Sequence, residues 1–252
     1  MRALASSRPA SALLVAGALA AMLGWWFDGA LPARARLDPS TATEPLQTPT
    51  AQHAVFTAQR GGVDYTVRPV ADYDITGLVV SMHHADAWWD WIHAASADHL
   101  NVVDLCVVWG ANAADGAYER MKFSSGQFVC YVSTRDSSAW QPQYIRALSN
   151  NHLLTDDARI ARQLAGVRIG DQIRVRGQLV EYSHNHGFAF TRGTSVTRDD
   201  QGNGACETIF VRDVQVLRSA SSWPRWLMWV GLLAMVLGVV LWFRAPHVPH
   251  ED

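Results

Sequence analysis

The sequence carries little net charge and almost no lysine. Its 21 lysines and arginines nearly balance its 23 aspartates and glutamates, so the formal net charge is −2. Lys122 is the only lysine, and arginine supplies the rest of the positive charge. A chain without a basic surplus lacks the long-range attraction that draws proteins to a phosphate backbone. We therefore expect no nucleic-acid partner.

Cysteine is also scarce, and no two cysteines form a C-x-x-C pair, so zinc-ribbon and thioredoxin-like sites find no support. The three cysteines are Cys106, Cys130 and Cys206. Cys106 and Cys130 each lie in a stretch that predicts a β-strand, and neighbouring strands could bring them within disulfide distance. A Cys106–Cys130 disulfide and two buried free thiols that act as small hydrophobes fit the sequence equally well.

Signature motifs of familiar catalytic and metal sites are missing as well. The sequence has no H-E-x-x-H zinc helix, and the residues around Ser195 read G-T-S-V-T, which is not a G-x-S-x-G elbow. The acidic segment 199–204 (DDQGNG) does not alternate ligands as a calcium loop does. We interpret it as a hairpin turn, and we expect no bound cofactor.

An uncharged run near the start predicts a membrane-targeting segment. Residues 11–27 (SALLVAGALAAMLGWWF) follow Arg2 and Arg8, and a basic start before an apolar run is typical of an export signal. The run is long for a signal peptide and short for a spanning helix. We interpret residues 1–28 as a signal anchor, with a signal peptide cleaved near residues 33–35 as the alternative.

A second uncharged run near the end predicts a membrane span. Residues 226–243 (WLMWVGLLAMVLGVVLWF) contain no polar side chain apart from the tryptophan indoles at both ends, and such indoles anchor helices at the lipid headgroups. We predict a transmembrane helix over residues 224–244 and a short tail at 245–252.

The export-type start places the region between the two runs outside the cytoplasm. Arginines flank both runs on either side, so the positive-inside rule gives almost no information, and long loops translocate largely regardless of charge. We expect a bacterial inner-membrane protein whose main domain lies on the periplasmic side. The membrane is then one partner, and another envelope protein is a second.

The region between the runs divides into a linker and a domain. Residues 29–54 are rich in proline, threonine and alanine, which predicts a flexible linker. Residues 55–220 predict a β-rich extracytoplasmic domain, mainly β with an inserted helix (α+β). The predicted strands are 63–70, 73–82, 100–109, 127–133, 172–182, 188–191 and 207–217, with a bulge near Asp213. A helix is predicted after Asp157, and weak helical character over 137–154.

Two segments resemble those of the OB-fold and related small barrels. They are DITGLVVS (74–81), a strand that a glycine can bend, and GDQIRVRGQLVEY (170–182), whose alternation is common in such barrels. The resemblance implies a small OB-like barrel between the two apolar helices. The layout as a whole resembles that of bacterial envelope proteins with a domain between two spans, and that likeness implies no activity.

Histidines are the strongest candidates for chemistry. His83, His84 and His93 lie close to Asp86 and Asp90, and His184 and His186 form a second pair. Metal sites need several such groups to converge, and a thiol nucleophile such as Cys206 needs an adjacent base, for which His184 or His186 is a candidate. The competing interpretation is that these histidines lie at strand ends and bond to the backbone. The sequence thus admits a metal- or thiol-dependent hydrolase displayed at the membrane.

A cluster of tryptophans favours a different function. Trp88, Trp89 and Trp91 project in different directions from either a helix or a strand, so at least one should be exposed. Exposed indoles indicate a surface for a partner, although two of them could instead anchor a helix on the barrel. Our preferred sequence-based hypothesis is a membrane-anchored, non-catalytic binding or assembly module of the cell envelope that uses this surface.

Overall fold

The computed structural model describes residues 8–49, 54–197 and 206–245. Contacts divide the chain into two units, Met1–Ala30 with Ser221–Asp252, and Leu31–Ala220. Within the described residues, the α-helices are α1 (Arg8–Phe27), α2 (Trp91–Ala95), α3 (Gly110–Asp115), α4 (Pro142–Ile145), α5 (Ala158–Ala165) and α6 (Trp223–Arg244). The strands are β1 (Leu46–Pro49), β2 (Phe56–Arg60), β3 (Val63–His84), β4 (Asn101–Val108), β5 (Lys122–Gly126), β6 (Val129–Ser133), β7 (Leu148–Leu154), β8 (Gln172–Asn185), β9 (Ala189–Arg192) and β10 (Glu207–Arg218).

The first unit is a pair of apolar helices, α1 and α6, each long and apolar enough to cross a membrane. Glycines let their backbones approach closely. A Cβ added at Gly17 would lie 2.7 Å from the Gly231 carbonyl oxygen. Small residues at such contacts are typical of helix pairs in lipid, where close packing replaces the hydrophobic effect as the source of association. The predicted tail 245–252 lies outside the described residues except for Ala245.

The second unit is built on an eight-stranded sheet and a separate β5–β6 hairpin. β3 pairs with β4, β4 with β7, β7 with β10, β10 with β8, and β8 returns to pair with β3. β7 and β10 run parallel, and the other pairs in this circuit are antiparallel. Apolar side chains of these strands and of α5 form the main core. The domain is α+β and mainly sheet, which confirms the coarse fold class.

The predicted flexible linker does not hold for most of residues 29–54. Leu31 and Leu37 pack onto the core, and short 3₁₀ turns form at Arg34–Arg36 and Pro39–Ala42. β1 then pairs with β3, so this segment belongs to the folded unit. The composition of residues 29–54 did not indicate this structure, because the contacts that hold the segment are a few apolar side chains and main-chain hydrogen bonds. Residues 50–53 lie outside the description.

Two further differences concern strands. The predicted strands 63–70 and 73–82 are one strand, β3, because Pro69 falls at a register irregularity with β8 and therefore removes no essential hydrogen bond. The weak helix expected over 137–154 is confined to α4, and the rest of that segment contains the buried strand β7. The bulge predicted near Asp213 is confirmed by a register shift between Val211 and Asp213.

The helix predicted after Asp157 is also confirmed. The Asp157 side chain accepts hydrogen bonds from the backbone N–H groups of Arg159 and Ile160, and α5 ends before Gly166. Ile160 and Leu164 are buried against the sheet, as their spacing predicts. α5 lies in the chain between β7 and β8, so it connects the strand that carries His152 to the strand that closes the circuit.

Candidate functional site

Polar and ionisable side chains are buried together at one part of the domain, at the ends of several strands. Most interior positions of a small domain are apolar, because an unpaired buried charge is costly. Here α2, β3, β4, β7 and the loop before β4 all contribute polar groups to the interior. The buried members are His83, Asp90, His93, Asp98, Asn101, Asp104, Asn150 and His152. Many of them are joined by hydrogen bonds, so the group is a connected network.

One end of the network is a thiol, an imidazole and a carboxylate in series. The Nδ1 atom of His152 donates to Oδ1 of Asp104 at 2.6 Å, and both side chains are fully buried. Cys206 lies close enough to His152 to affect its pKa. Nδ1 of His152 is committed to Asp104, so Nε2 is the ring nitrogen left for another partner. Cys206 itself is partly exposed and is not in a disulfide.

The surroundings of His152 favour its charged form. Burial alone would lower the pKa of His152, but the charge and hydrogen bond of Asp104, with the contact to Cys206, raise it to about 9. Burial raises the pKa of Asp104, and His152 together with Asn101 outweighs burial and lowers it. These opposite shifts favour a buried ion pair between Asp104 and His152 at neutral pH.

Asn150 and Phe128 contact the thiol, which donates to the Phe128 carbonyl oxygen at 3.9 Å. Nδ2 of Asn150 lies 3.7 Å from the Cys206 sulfur and donates to the Phe128 carbonyl oxygen at 3.1 Å. The Arg192 guanidinium lies 3.7 Å over the Phe128 ring. Its Nη1 atom is buried without a hydrogen-bond partner among the described residues. An amide donor is thus available close to the sulfur, and the guanidinium lies farther away, over the Phe128 ring.

The β5–β6 hairpin covers this part of the network. Phe128, in the turn of the hairpin, has a positive φ of 63° and donates its backbone N–H to Oδ2 of Asp104 at 3.2 Å. Its ring lies 3.8 Å from the His93 ring. The hairpin is tied to the main sheet by a disulfide between Cys106 in β4 and Cys130 in β6, with a Cα–Cα distance of 5.8 Å. β6 pairs with β5 and not with β4, so the two cysteines join separate sheets.

The other end of the network contains three of the residues that the sequence marks as possible metal ligands. Nε2 of His83 and Nδ1 of His93 each lie 2.5 Å from Oδ2 of Asp90, and all three side chains are buried. Asp90 takes this position because it begins α2, where Oδ1 accepts the His93 N–H at 2.9 Å. Their ligand atoms lie within 4.8 Å of one another.

The hydrogen-bond directions in this group favour a proton-bonded cluster over a metal centre. Nδ2 of Asn101 donates to Oδ1 of Asp104 at 2.7 Å and lies 3.0 Å from Nε2 of His93. An amide nitrogen can only donate, so Nε2 of His93 must accept and Nδ1 must carry the proton. A metal at Nδ1 would need that proton removed and would leave two donors, Nε2–H and the amide, facing each other. The residues present therefore fit hydrogen bonds better than a metal.

A cleft of about 360 Å³ adjoins this end of the network, and Asp90, His93 and Asn101 line it. Asp98, which also lines the cleft, accepts a hydrogen bond from the Tyr182 hydroxyl at 2.6 Å. Burial raises the pKa of Asp98 despite this bond. Oδ1 of Asp98 and Oδ1 of Asn101 are buried without partners among the described residues. The exposed Trp88 lies at the rim of the cleft.

The other candidate residues lie apart from the thiol. His84 is partly buried on the opposite face of β3 from His83. Nε2 of His184 donates to the Ser96 carbonyl oxygen at 2.8 Å, and His186 is exposed. Trp88, Trp89 and Trp91 are 95%, 51% and 70% exposed. The candidate turn 199–204 and Arg198 lie outside the described residues.

Sequence reasoning did not single out Asn101, Asp104 or His152, and it offered His184 or His186 as the base beside Cys206. The parallel pairing of β7 with β10 instead brings His152 beside the start of β10. One signal was available: Asn150, Asn151 and His152 interrupt an apolar run that ends in Leu153 and Leu154, which is unusual for a buried strand.

Comparisons of the chain with protein-family models, with curated proteins and with solved structures give no match.

The Asp104–His152 pair predicts a pH-dependent stability. His152 holds its proton more tightly when folded, so its contribution is complete below about pH 6.5 and is lost as the pH rises through about 9. The Asp104 contribution is lost only as the pH falls through acid values, because its pKa is lowered. Asp104→Asn should therefore reduce the free energy of unfolding by about 3–5 kcal/mol at pH 6 and by less at pH 9.5.

Urea unfolding of the full chain in detergent at both pH values measures this difference. The matched control is Asp213→Asn, which removes a carboxylate that pairs with Arg176 near the surface. Such exposed pairs contribute about 0–1 kcal/mol to stability, so Asp213→Asn should change the free energy of unfolding little at either pH. An equal loss for Asp104→Asn at pH 6 and pH 9.5 would contradict the ion pair.

Proposed function

We propose that this protein is a membrane-tethered, thiol-dependent hydrolase of acyl compounds, in which Cys206 is the nucleophile and His152 the base. The observation that carries the proposal is that the partly exposed Cys206 thiol lies at the start of β10, beside the hydrogen-bonded His152–Asp104 pair. A nucleophile, a base and a carboxylate that orients the base are the parts that covalent acyl transfer needs. Deeply buried ionisable groups are also costly to keep unless they serve a purpose.

The residues support a two-step reaction. The Cys206 thiolate attacks the carbonyl carbon of an ester, thioester or amide, and the imidazolium of His152 donates its proton to the leaving group. A water molecule then attacks the carbonyl carbon of the acyl-thioester while His152 takes its proton, and the C–S bond breaks, which releases the acid and restores the thiolate and the imidazolium. The Asn150 amide lies 3.7 Å from the sulfur, where its N–H group could stabilise the oxyanion. Asp104 holds the His152 ring in place through Nδ1, which leaves Nε2 to give and take the proton.

The proposal includes an OB-like barrel as the scaffold. Five strands pair in a circuit that runs β3, β4, β7, β10, β8 and returns to β3, with one parallel pair, β7–β10. The helix α5 precedes β8, the fourth of these strands in chain order. These features support the resemblance carried by residues 74–81 and 170–182. The scaffold matters because Asp104, His152 and Cys206 come from three adjacent strands or their ends, β4, β7 and β10. Their spacing is therefore fixed by main-chain pairing.

We also propose that the domain faces the periplasm of a bacterial inner membrane and that α1 is retained as an anchor. The export-type start, two apolar helices and a disulfide between Cys106 and Cys130 support this location, since disulfides persist in oxidising compartments. Close packing of α1 on α6 at Gly17 and Gly231 supports retention, because cleavage would remove half of that contact.

The exposed tryptophans support a second candidate function, that of a non-catalytic binding or assembly module. Three indoles within four residues are largely exposed at 88, 89 and 91, and Trp88 has almost no contact with the domain. Aromatic side chains of this kind dominate the affinity of protein interfaces. On this proposal, another envelope protein binds the surface formed by Trp88, Trp89 and Trp91.

The hydrolase proposal predicts a covalent intermediate at Cys206. Brief exposure of the full chain in detergent to p-nitrophenyl acetate should add one acetyl group, detected by intact mass and located by peptide mapping. Cys206→Ala should give no adduct, and His152→Ala should slow acetylation by about 10²–10⁴-fold. His184→Ala, which removes another buried histidine, should leave the rate unchanged. Acetylation that persists in Cys206→Ala, or that is indifferent to His152, would refute the nucleophile.

The binding proposal predicts that the three indoles are needed to capture a partner. Replacement of Trp88, Trp89 and Trp91 by alanine should abolish co-purification of cross-linked envelope proteins while the melting temperature stays near that of the wild type. Trp140→Ala is the matched control, because Trp140 is 51% exposed elsewhere on the domain. Unchanged capture by the triple variant would rule this surface out.

The proposed orientation predicts opposite results for two reporter positions. Alkaline phosphatase fused after residue 220 should be active, since it folds only outside the cytoplasm. A fluorescent protein fused to the C-terminus should fluoresce, since α6 would return the chain to the cytoplasm. The reverse pattern would place the domain inside.

A further inference from the structure

The hydrogen-bonded series that begins at His152, beside Cys206, does not stop at Asp104. Nδ2 of Asn101 donates to Asp104 at 2.7 Å and also lies 3.0 Å from Nε2 of His93. Nδ1 of His93 then contacts Asp90, which also contacts His83. Four more side chains are thus connected to the His152–Asp104 pair through hydrogen bonds, and all of them are buried.

The donor and acceptor roles along this series are mutually consistent. Asn101 has two amide hydrogens, and the series uses one toward Asp104 and one toward His93. His93 accepts at Nε2 and therefore donates from Nδ1 to Asp90. The Asp90 carboxylate accepts that bond, the bond from His83 and the backbone N–H of His93. Each role is fixed by its neighbour, so the series has one self-consistent arrangement of protons.

We propose that Asn101 and His93 are positioning residues for the Cys206 nucleophile, which they influence through Asp104 and His152. Asn101 sets the rotamer of the Asp104 carboxylate, and His93 sets the orientation of the Asn101 amide. Asp90 and His83 in turn fix the ring of His93, which Phe128 covers at 3.8 Å. This inference rests on the proposed function, since it assigns the role of these residues relative to that thiol.

The physical reason lies in the geometry of Asp104. A carboxylate can rotate about its terminal torsion unless hydrogen bonds hold it, and a rotated carboxylate would release Nδ1 of His152. Oδ1 of Asp104 accepts from both Asn101 and His152, while Oδ2 accepts from the Phe128 N–H. Removal of the Asn101 donor leaves the imidazole less firmly directed at the sulfur. The thiol should then react more slowly.

Other charged groups also face this part of the network, and they are the same in the wild type and in the Asn101→Ala variant. Arg192 acts on His152 and on Asp98, and Asp98 acts on Tyr182. His93 contributes to the electrostatics of both Asp98 and Asp104. Glu207 at the start of β10 is a further buried carboxylate next to Cys206 in the chain. Asn101 is uncharged, so Asn101→Ala changes the hydrogen bonding without removing a charge.

The reactivity of Cys206 as a function of pH tests the inference. The rate of alkylation by iodoacetamide is measured on the full chain in detergent between pH 5 and pH 9. Cys106 and Cys130 do not react with iodoacetamide because they form a disulfide. Asn101→Ala and His93→Leu should lower the rate at pH 6 by about tenfold and move the midpoint of the profile upward. His93→Gln, which keeps an acceptor for Asn101, should restore most of the rate.

The outcomes separate this inference from the proposed function. If His152→Ala shifts the profile but Asn101→Ala and His93→Leu do not, the positioning role is wrong and the nucleophile stands. If His152→Ala has no effect either, the proposed function itself fails. His184→Leu is the matched control for the loss of a buried histidine and should leave the profile unchanged. Should His93→Leu fail to fold, Asn101→Ala decides, because it removes only an amide.

A metal at His83, Asp90 and His93 is the competing interpretation, and a separate measurement addresses it. Cobalt(II) is added to the Cys206→Ala variant, which removes the thiol as a ligand, and visible absorption is recorded. We expect no cobalt spectrum. A spectrum that disappears in the Cys206→Ala variant that also carries His83→Ala would overturn the hydrogen-bonded arrangement and establish a metal site.

Discussion

The domain depends on one buried carboxylate, that of Asp104. It lies in the interior of the sheet and accepts hydrogen bonds from β4 itself, from His152 in β7 and from the backbone of Phe128 in the covering hairpin. Without these donors, a charge in that position would cost several kcal/mol in desolvation. The fold therefore has to bring three separate parts of the chain to the same point. The disulfide between Cys106 and Cys130 helps by fixing the hairpin over that point.

This constraint also explains why the thiol and the imidazole meet. His152 must face Asp104 across the β4–β7 pair, where the two residues are register partners. β10 then runs parallel to β7, with His152 opposite Thr208, so the residues just before β10 lie near the imidazole. Cys206 occupies that position and keeps partial access to solvent. A buried, charged pair behind a partly exposed sulfur is an arrangement that suits nucleophilic chemistry better than it suits stability.

The sequence predicted the parts of the structure that a local pattern determines. The apolar helices follow from uninterrupted runs, α5 from its Asp157 cap and helical spacing, and the β10 bulge from the slip in alternation at Asp213. β7 was missed because its buried residues include Ser149, Asn150, Asn151 and His152, which carry no strand-like alternation. Such side chains become acceptable inside only through partners on other strands. No local pattern contains those partners, and for that reason the site could not be assembled from spacing alone.

The parallel pairing of β7 with β10 has a consequence for how the protein is made. His152 is synthesised well before Cys206, and the intervening residues include α5, β8 and β9. During synthesis, Asp104 and His152 are made before β10, and α6 follows β10 in the chain. The Cys206 sulfur therefore joins the imidazole and the carboxylate only after α5, β8 and β9 have been synthesised.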